Sequence, residues 1–297
     1  MNNIAPVTLF VYNRPRHTRE VIRALQSNEL ASQSDLIIYS DGPKNEESTA
    51  NVREVRDLIK AVKGFYSVTV VERDSNWGLA KNIIHGVSEI INKYGKIIVL
   101  EDDIITSSGF LVFMNQALNR FEKNNEFMSI SGYLYPAELP SDYEYELIKF
   151  YRGSSWGWGT WKKEWNLVDF DLERIFQRYE LKEIKKISKG GGDTYQMLIN
   201  QRKGKINSWA IRFALAHILH KKYALFPSKS YATNIGHDSS GTHCVTDDKW
   251  NVPLSSRNIS DWTEPTISPI INNAFLKVLN KPLKEKIKHK ILRILGK

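Results

Sequence analysis

The sequence predicts an α/β protein: a mostly parallel, mixed sheet flanked by helices. Three observations lead there. Over the first hundred residues, apolar runs of strand length alternate with segments of helical period, the pattern of consecutive βαβ units. Each run ends in a polar, turn-forming cluster, as parallel strands do before they cross over. The composition, 41% hydrophobic and 25% charged over 297 residues, suffices to bury a core and excludes a disordered or fibrous chain.

The strand-like runs are 7–12, 35–39, 67–71 and 96–100, each about the length of a buried strand. Helices are expected over about 17–30, 46–61 and 79–94. The last carries Leu79, Ile83, Ile84, Val87, Ile90 and Ile91 at three-to-four spacing, enough to cover a sheet face. Beyond Leu100 the period weakens: a helix near 108–123, a strand at 128–131, an aromatic, glycine-rich stretch at 151–165, then helices near 172–188 and 193–220. Residues 251–273 read as a connector into a basic amphipathic helix at 274–297.

The net charge of +9 sits mostly in that tail. Residues 277–297 hold eight lysines and arginines against Glu285, which leaves 34 basic and 32 acidic groups elsewhere. A nearly neutral body without a basic-aromatic recognition motif argues against nucleic acid as a partner. The single cysteine, Cys244, excludes an intramolecular disulfide framework and suits a reducing compartment. The N-terminal residues lack a basic, then apolar leader, and no run approaches the ~18 apolar residues of a span. A cytoplasmic protein is expected.

Ligands of open α/β sheets gather outside the carboxyl ends of the strands. Here those ends read Asn13-Arg14-Pro15, Ser40-Asp41-Gly42, Glu72-Arg73-Asp74-Ser75-Asn76 and Glu101-Asp102-Asp103. Turns and caps favour the same residue types, so Asn13 or Ser40 alone is uninformative. Three consecutive carboxylates after Ile97-Ile98-Val99-Leu100 are different: they repel one another, and a hard divalent cation, Mg²⁺ or Mn²⁺, relieves that repulsion.

The order and spacing of Leu9-Phe-Val-Tyr-Asn-Arg-Pro-Arg-His, Tyr39-Ser-Asp-Gly-Pro-Lys, Asn76-Trp-Gly-Leu-Ala-Lys-Asn and Val99-Leu-Glu-Asp-Asp resemble the donor half of GT-A-fold nucleotide-sugar glycosyltransferases. The acidic motif is similar to that of N-acetylglucosaminyltransferase I-like bacterial sugar transferases that build surface polysaccharides. The resemblance covers roughly residues 5–245. It implies a glycosyltransferase domain at 1–250, with a nucleotide-binding half at 1–104 and an acceptor and catalytic half at 105–250.

It further implies a UDP-sugar donor, Mn²⁺ or Mg²⁺, a glycan or lipid-linked saccharide acceptor, and inversion at the anomeric carbon. Arg14 and Asp41 would meet the nucleotide, Asp41 at the uracil. Asn76 and Lys81 would lie near ribose or diphosphate, although Lys81 also fits a solvated helix face. Asp103 would bind the metal directly, with Glu101 and Asp102 supporting metal, ribose or sugar hydroxyls.

Departure of a nucleoside diphosphate develops negative charge, which a metal on its phosphates stabilises. An inverting enzyme then needs one general base for the acceptor hydroxyl. The resemblance places a catalytic aspartate at a loop-to-helix junction, where Gly190-Gly191-Gly192-Asp193 stands; Asp193 equally suits an N-cap. Asp169 and Asp171 are the fallbacks. Trp156, Trp158 and Trp161 are interrupted by glycines. Aromatic faces stack on sugar rings, so Trp156 and Trp158 are candidates for the sugar and Trp161 for a structural role. In Asn234-Ile-Gly-His-Asp-Ser-Ser-Gly-Thr-His-Cys the histidines do not have zinc spacing. His243, or His237, is expected to close over metal or diphosphate, as GT-A enzymes often arrange. Trp209 and Arg212 are placed toward the acceptor without a firm argument.

A sugar nucleotidyltransferase also uses carboxylates and Mg²⁺, but it would carry a glycine-rich loop where Tyr12-Asn13-Arg14-Pro15 stands. In the tail, Leu276, Leu279, Leu283, Ile287, Ile291, Ile294 and Leu295 recur at helical spacing with lysines opposite. Such a helix suits an anionic membrane surface, at about 1 kcal/mol per basic residue near the headgroups, and predicts a peripheral enzyme on the inner face of the cell membrane. A helix docked on the body is the alternative.

Overall fold

A computed structural model of the chain describes residues 4–180, 182–184, 189, 191–238 and 248–280. Three βα units open it: β1 (Val7–Val11), α1 (Pro15–Gln26), β2 (Asp35–Ser40), α2 (Glu46–Lys60), β3 (Ser67–Glu72) and α3 (Leu79–Tyr94), followed by β4 (Lys96–Glu101). Asn45 and Ser48 cap α2 reciprocally, and Pro15 starts α1 where a missing N–H costs nothing. The chain continues through β5 (Ile104–Thr106), α4 (Phe110–Arg120), β6 (Phe127–Ser131), β7 (Leu147–Phe150), β8 (Trp158–Trp161), α5 (Lys162–Trp165) and α6 (Leu172–Arg178). It ends with α7 (Gly192–Arg202), α8 (Trp209–Leu219), β9 (Tyr223–Pro227), β10 (Ala232–Asn234) and α9 (Pro269–Leu279).

Eight strands form one sheet in the order β3-β2-β1-β4-β8-β6-β9-β7. β1 pairs in parallel with both β2 and β4, and β2 with β3; β8 runs antiparallel between β4 and β6, while β7 runs antiparallel to β9 at the far edge. Six strands therefore share one direction and two oppose it. The expected mostly parallel α/β sheet is present.

Period-two alternation splits the core between the two faces. On β4, Ile98 and Leu100 join α1, α2 and α4, while Ile97 and Val99 join α3 and α8. A second sheet pairs β5 with β10, with Asn234 opposite Ile104. This short pairing brings a loop from the end of the domain onto the residue after the acidic strand, since Ile235 N–H donates to the Asp103 carbonyl at 2.9 Å.

Three regions beyond β4 gain definition. The 193–220 helix is two helices, because Ser208 caps α8 through the Ile211 N–H. The aromatic, glycine-rich stretch at 151–165 contains β8, which lies at the centre of the sheet, and Gly159 belongs there because a Cβ would stand 2.9 Å from the Ile97 carbonyl. Residues of the 251–273 connector pack on the body. Trp262 lies over Phe113, and the Glu146 carboxylate accepts from Ser260 N–H and Oγ, each at 2.7 Å. Helix α9 starts at Pro269, and Ile271, Phe275 and Leu279 bury one seam of it against Tyr135, Phe150 and Phe226. The expected basic helix beyond Asn280 lies outside the described residues.

Candidate active site

The carboxyl ends of β1, β2 and β4 meet at one edge of the sheet, where the first and fourth motifs touch. Arg14 follows β1 and reaches across to β4, donating to Asp102 and, at 3.0 Å, to Asp103 Oδ2. Tyr12 N–H also points to Asp102, at 3.4 Å. Asp102 and Asp103 are buried. Burial pushes Glu101 up to about 8, helped by the neighbouring Asp103 and Asp102, with Arg14 and a hydrogen bond from Trp209 opposing. Burial and Asp103 likewise raise Asp102 in spite of Arg14. Burial works against the Arg14 charge, but the two carboxylates outweigh it and its pKa is raised. One guanidinium against three carboxyl groups leaves the site short of positive charge.

Gly236, carried in by the β10 pairing, lies directly on this cluster. A Cβ there would stand 2.5 Å from Asp103 Oδ2 and 3.1 Å from an Arg14 terminal nitrogen. The next residue, His237, meets the Trp156 ring edge-on at 5.3 Å, and its Nε2 is buried without a hydrogen-bond partner among the described residues. His17 Nε2 lies 3.2 Å from Asp238 Oδ2.

These features fit a hard divalent cation in a particular way. The donors are carboxylate oxygens with uncompensated charge, in a cradle that only glycine permits. Yet no three acidic, histidine or cysteine side chains converge with metal-ligating geometry among the described residues. The residues fit a cation that takes part of its shell from a bound ligand's oxygens, not one held by protein alone. His243 lies outside the described residues.

The second motif forms a hub beside this cluster. Asp41 Oδ1 accepts from Gly42 N–H (2.9 Å) and Trp77 N–H (2.8 Å); Oδ2 accepts from Gly78 N–H (3.0 Å) and Asn76 Nδ2 (3.1 Å). Four donors fill the roughly four lone-pair sites of a carboxylate. This corrects the expectation that Asp41 meets the uracil: its side chain is consumed in tying the loop after β3 to the end of β2. Asn76 is committed likewise, to Asp41 and, at 2.9 Å, to the Gly42 carbonyl. Trp77 was not anticipated as a partner of Lys81. Its ring lies 4.0 Å from the Arg73 guanidinium and 4.3 Å from Lys81 Nζ, within cation–π range.

The tryptophans divide. Trp156 is half-buried at the site, against Tyr133, Trp250 and His237. Trp158 is fully buried, stacked on Trp209 at 4.9 Å and Trp165 at 5.8 Å, so it is a core residue and not a sugar platform. Trp209 is buried with it rather than facing an acceptor. Trp161 donates to the Leu118 carbonyl, the structural role expected of it.

Among the described residues no hydrogen bond or ion pair joins Asp193 to the acidic motif. It stands in the first turn of α7, where Gly191 is the N-cap and no side chain caps the helix, so the N-cap reading is corrected. Its carboxylate pairs with both terminal nitrogens of buried Arg152, at 3.2 and 2.8 Å. Arg152 lies at Tyr135; Tyr133 and Trp156 come between that ring and His237. Asp171 caps α6 and Asp169 accepts from Arg174 at 3.0 Å, which gives both fallbacks structural partners.

No family model matches the sequence, and no curated protein matches it. Among solved structures the chain is similar to the mannosyltransferase PcManGT from Pyrobaculum calidifontis in complex with GDP-Man and Mn²⁺. Identity is 13%, with 58% of this chain and 49% of that chain covered, at a TM-score of 0.35. It is also similar to S. aureus TarS, at 10% identity and a TM-score of 0.41; the match covers 76% of this chain but 36% of TarS, or 59% of its 1–349 fragment. The chain thus spans less than two thirds of the length of these proteins. Likenesses at this level extend no further than the layered α/β fold.

Proposed function

We propose that the chain is a metal-dependent glycosyltransferase that moves a sugar from a nucleotide sugar, UDP being the expected nucleotide, to a hydroxyl of a glycan or lipid-linked acceptor, with inversion. The observation that carries this reading is the convergence of Arg14, Asp102, Asp103 and Gly236 beside the Asp41 hub, at the carboxyl edge of the parallel strands. That edge is where open α/β sheets hold nucleotides.

A cation held by Asp103 and diphosphate oxygens, with Glu101 and Asp102 behind, would supply charge stabilisation for the departing nucleoside diphosphate. Arg14 keeps Asp102 and Asp103 oriented and would share its guanidinium with a phosphate oxygen, a planar, charge-assisted match. Asp41 acts indirectly, by fixing the loop that carries Asn76 and Trp77. Trp156 offers the sugar an aromatic face. Asp193 is the general base in this reading, and its carboxylate must part from Arg152 to accept a proton, because the ion pair favours the charged form. The tail is the element that would hold the enzyme to an anionic inner membrane surface, in polysaccharide biosynthesis.

Incubation with a panel of UDP-sugars and Mn²⁺ tests the reading: UDP release is expected with at least one of them. The absence of both UDP release and metal-dependent UDP binding would defeat it. Asp193→Asn should leave UDP binding intact while transfer falls about 10²–10⁴-fold, the scale of a lost general base; normal turnover removes Asp193 from the chemistry. Anionic liposomes should sediment the full chain but not one ending at Asn280.

A further inference from the structure

Between α3 and the start of α8 runs an open groove of about 690 Å³, lined by Lys81, His85, Glu89, Asn207 and Arg212 among others. Both of its walls are tied to the acidic edge. Gly78, the N-cap of α3, donates to Asp41, and Trp209, the first residue of α8, hydrogen-bonds to Glu101. The groove therefore begins beside the candidate active site and leads away along α3.

Its charge is unusual. Arg212 is half-buried, and every acceptor it holds is neutral: the Phe170 carbonyl at 3.1 Å, the Ser208 carbonyl at 2.8 Å and Asn207 Oδ1 at 3.1 Å. Among the described residues no carboxylate pairs with it, and burial lowers its pKa with nothing to restore it. A guanidinium taken partly out of water without a counter-charge costs stability. Lys81 adds a second cation, over the Trp77 ring, and His85, one helical turn later, faces Glu89 at 3.8 Å. The groove's acid, Glu89, is held by the Tyr39 hydroxyl at 2.9 Å and stands eight residues beyond Lys81, about 12 Å along the helix. The groove thus brings two cations to one lining with a single carboxylate that is already engaged, and is short of an anion.

We infer that this groove binds an anionic group, a phosphate or carboxylate carried by the acceptor, through Arg212 and Lys81. The word acceptor rests on the transferase reading; the anion site itself does not. An anion seated there would give Arg212 the counter-charge it lacks, at the terminal nitrogen that its neutral acceptors do not fill, and align the acceptor beside Glu101. Arg212 is then a specificity-determining residue that selects charged over neutral acceptors.

Calorimetric titration with glucose 1-phosphate and with glucose tests this on the full chain. The phosphate is expected to bind, more weakly as NaCl rises, and glucose not to bind. Arg212→Gln and Asn207→Asp should each weaken phosphate binding about tenfold or more, the cost of losing one charge-assisted partner. Asn207 is exposed, and the aspartate keeps its shape while giving Arg212 an internal counter-charge, so this variant decides the matter should Arg212→Gln fail to fold. Saturating UDP and Mn²⁺ should leave phosphate affinity unchanged. Unaltered affinity in Asn207→Asp, no binding to the wild type, or displacement by UDP, which would place the anion in the donor site, each overturns the inference. Failure of the transferase reading shows separately, as absence of UDP binding in the same instrument.

Discussion

Arg14 is the residue on which the candidate site turns, because it holds apart carboxylates that would otherwise repel each other. Its place at the carboxyl edge of the sheet was legible from the first strand's end; its grip on Asp102 and Asp103 was not, since that contact joins positions 88 and 89 residues apart. Asp103→Ala should abolish any rise in Tm that Mn²⁺ and UDP together give the wild type, because only a ligand that binds the folded state stabilises it; a preserved rise, read by differential scanning fluorimetry, would remove Asp103 from the metal. Gly236→Ala should do the same to binding for a steric reason, its Cβ meeting Asp103 Oδ2 at 2.5 Å. Wild-type affinity in that variant would show that the loop is not part of the site. Asp41→Ala strands the N–H groups of Gly42, Trp77 and Gly78, and should cost about 1–3 kcal/mol in chemical denaturation.

At the scale of elements, the first four strands and three helices were legible because their periods are strong and most of their contacts are between successive βα units, although β4 crosses over to pair with β1. The exceptions have physical causes. β8 hides among tryptophans and glycines that look like a loop, and its partners, β4 and β6, are far away in sequence. Helix α9 shows the opposite effect: the amphipathic pattern of the tail is real, but Phe275 lets it begin on the body, seated against Phe150 at 4.8 Å and Tyr135 at 5.3 Å. A chain ending at Asn280 keeps this seam whole and serves as the reference. One ending at Asn273 loses Phe275 and Leu279 and should be destabilised by at least about 3 kcal/mol, the usual cost of deleting a buried large side chain. Equal midpoints would mean that α9 does not support the core.

Across the whole molecule, a buried histidine links stability to pH. His217 of α8 donates from Nδ1 to the Phe213 carbonyl, so its Nε2 accepts from the Ser129 hydroxyl of β6 at 2.9 Å, a neutral tautomer fixed by its partners. Burial depresses its pKa to about 4. The unfolded chain takes up a proton below about pH 6.5 that the folded chain refuses, so stability is complete above that value and falls on acidification toward pH 4. The loss should reach roughly 3 kcal/mol from this group alone. Urea midpoints measured from pH 7 to 4.5 should decline more steeply for the wild type than for His217→Asn; parallel curves would contradict the assignment.

The sequence by itself determined the layered α/β sheet, the polar carboxyl edge and the acidic motif, because strand period and strand-end chemistry are local properties. Tertiary structure alone decided what the site residues do. It spent Asp41 and Asn76 on holding a loop, buried Trp158 in the core, gave Asp193 to Arg152 and laid Gly236 on Asp103. Side-chain type states what a residue can bond to. Which partner it meets depends on strand order and on contacts across a hundred residues or more, and no local pattern encodes those.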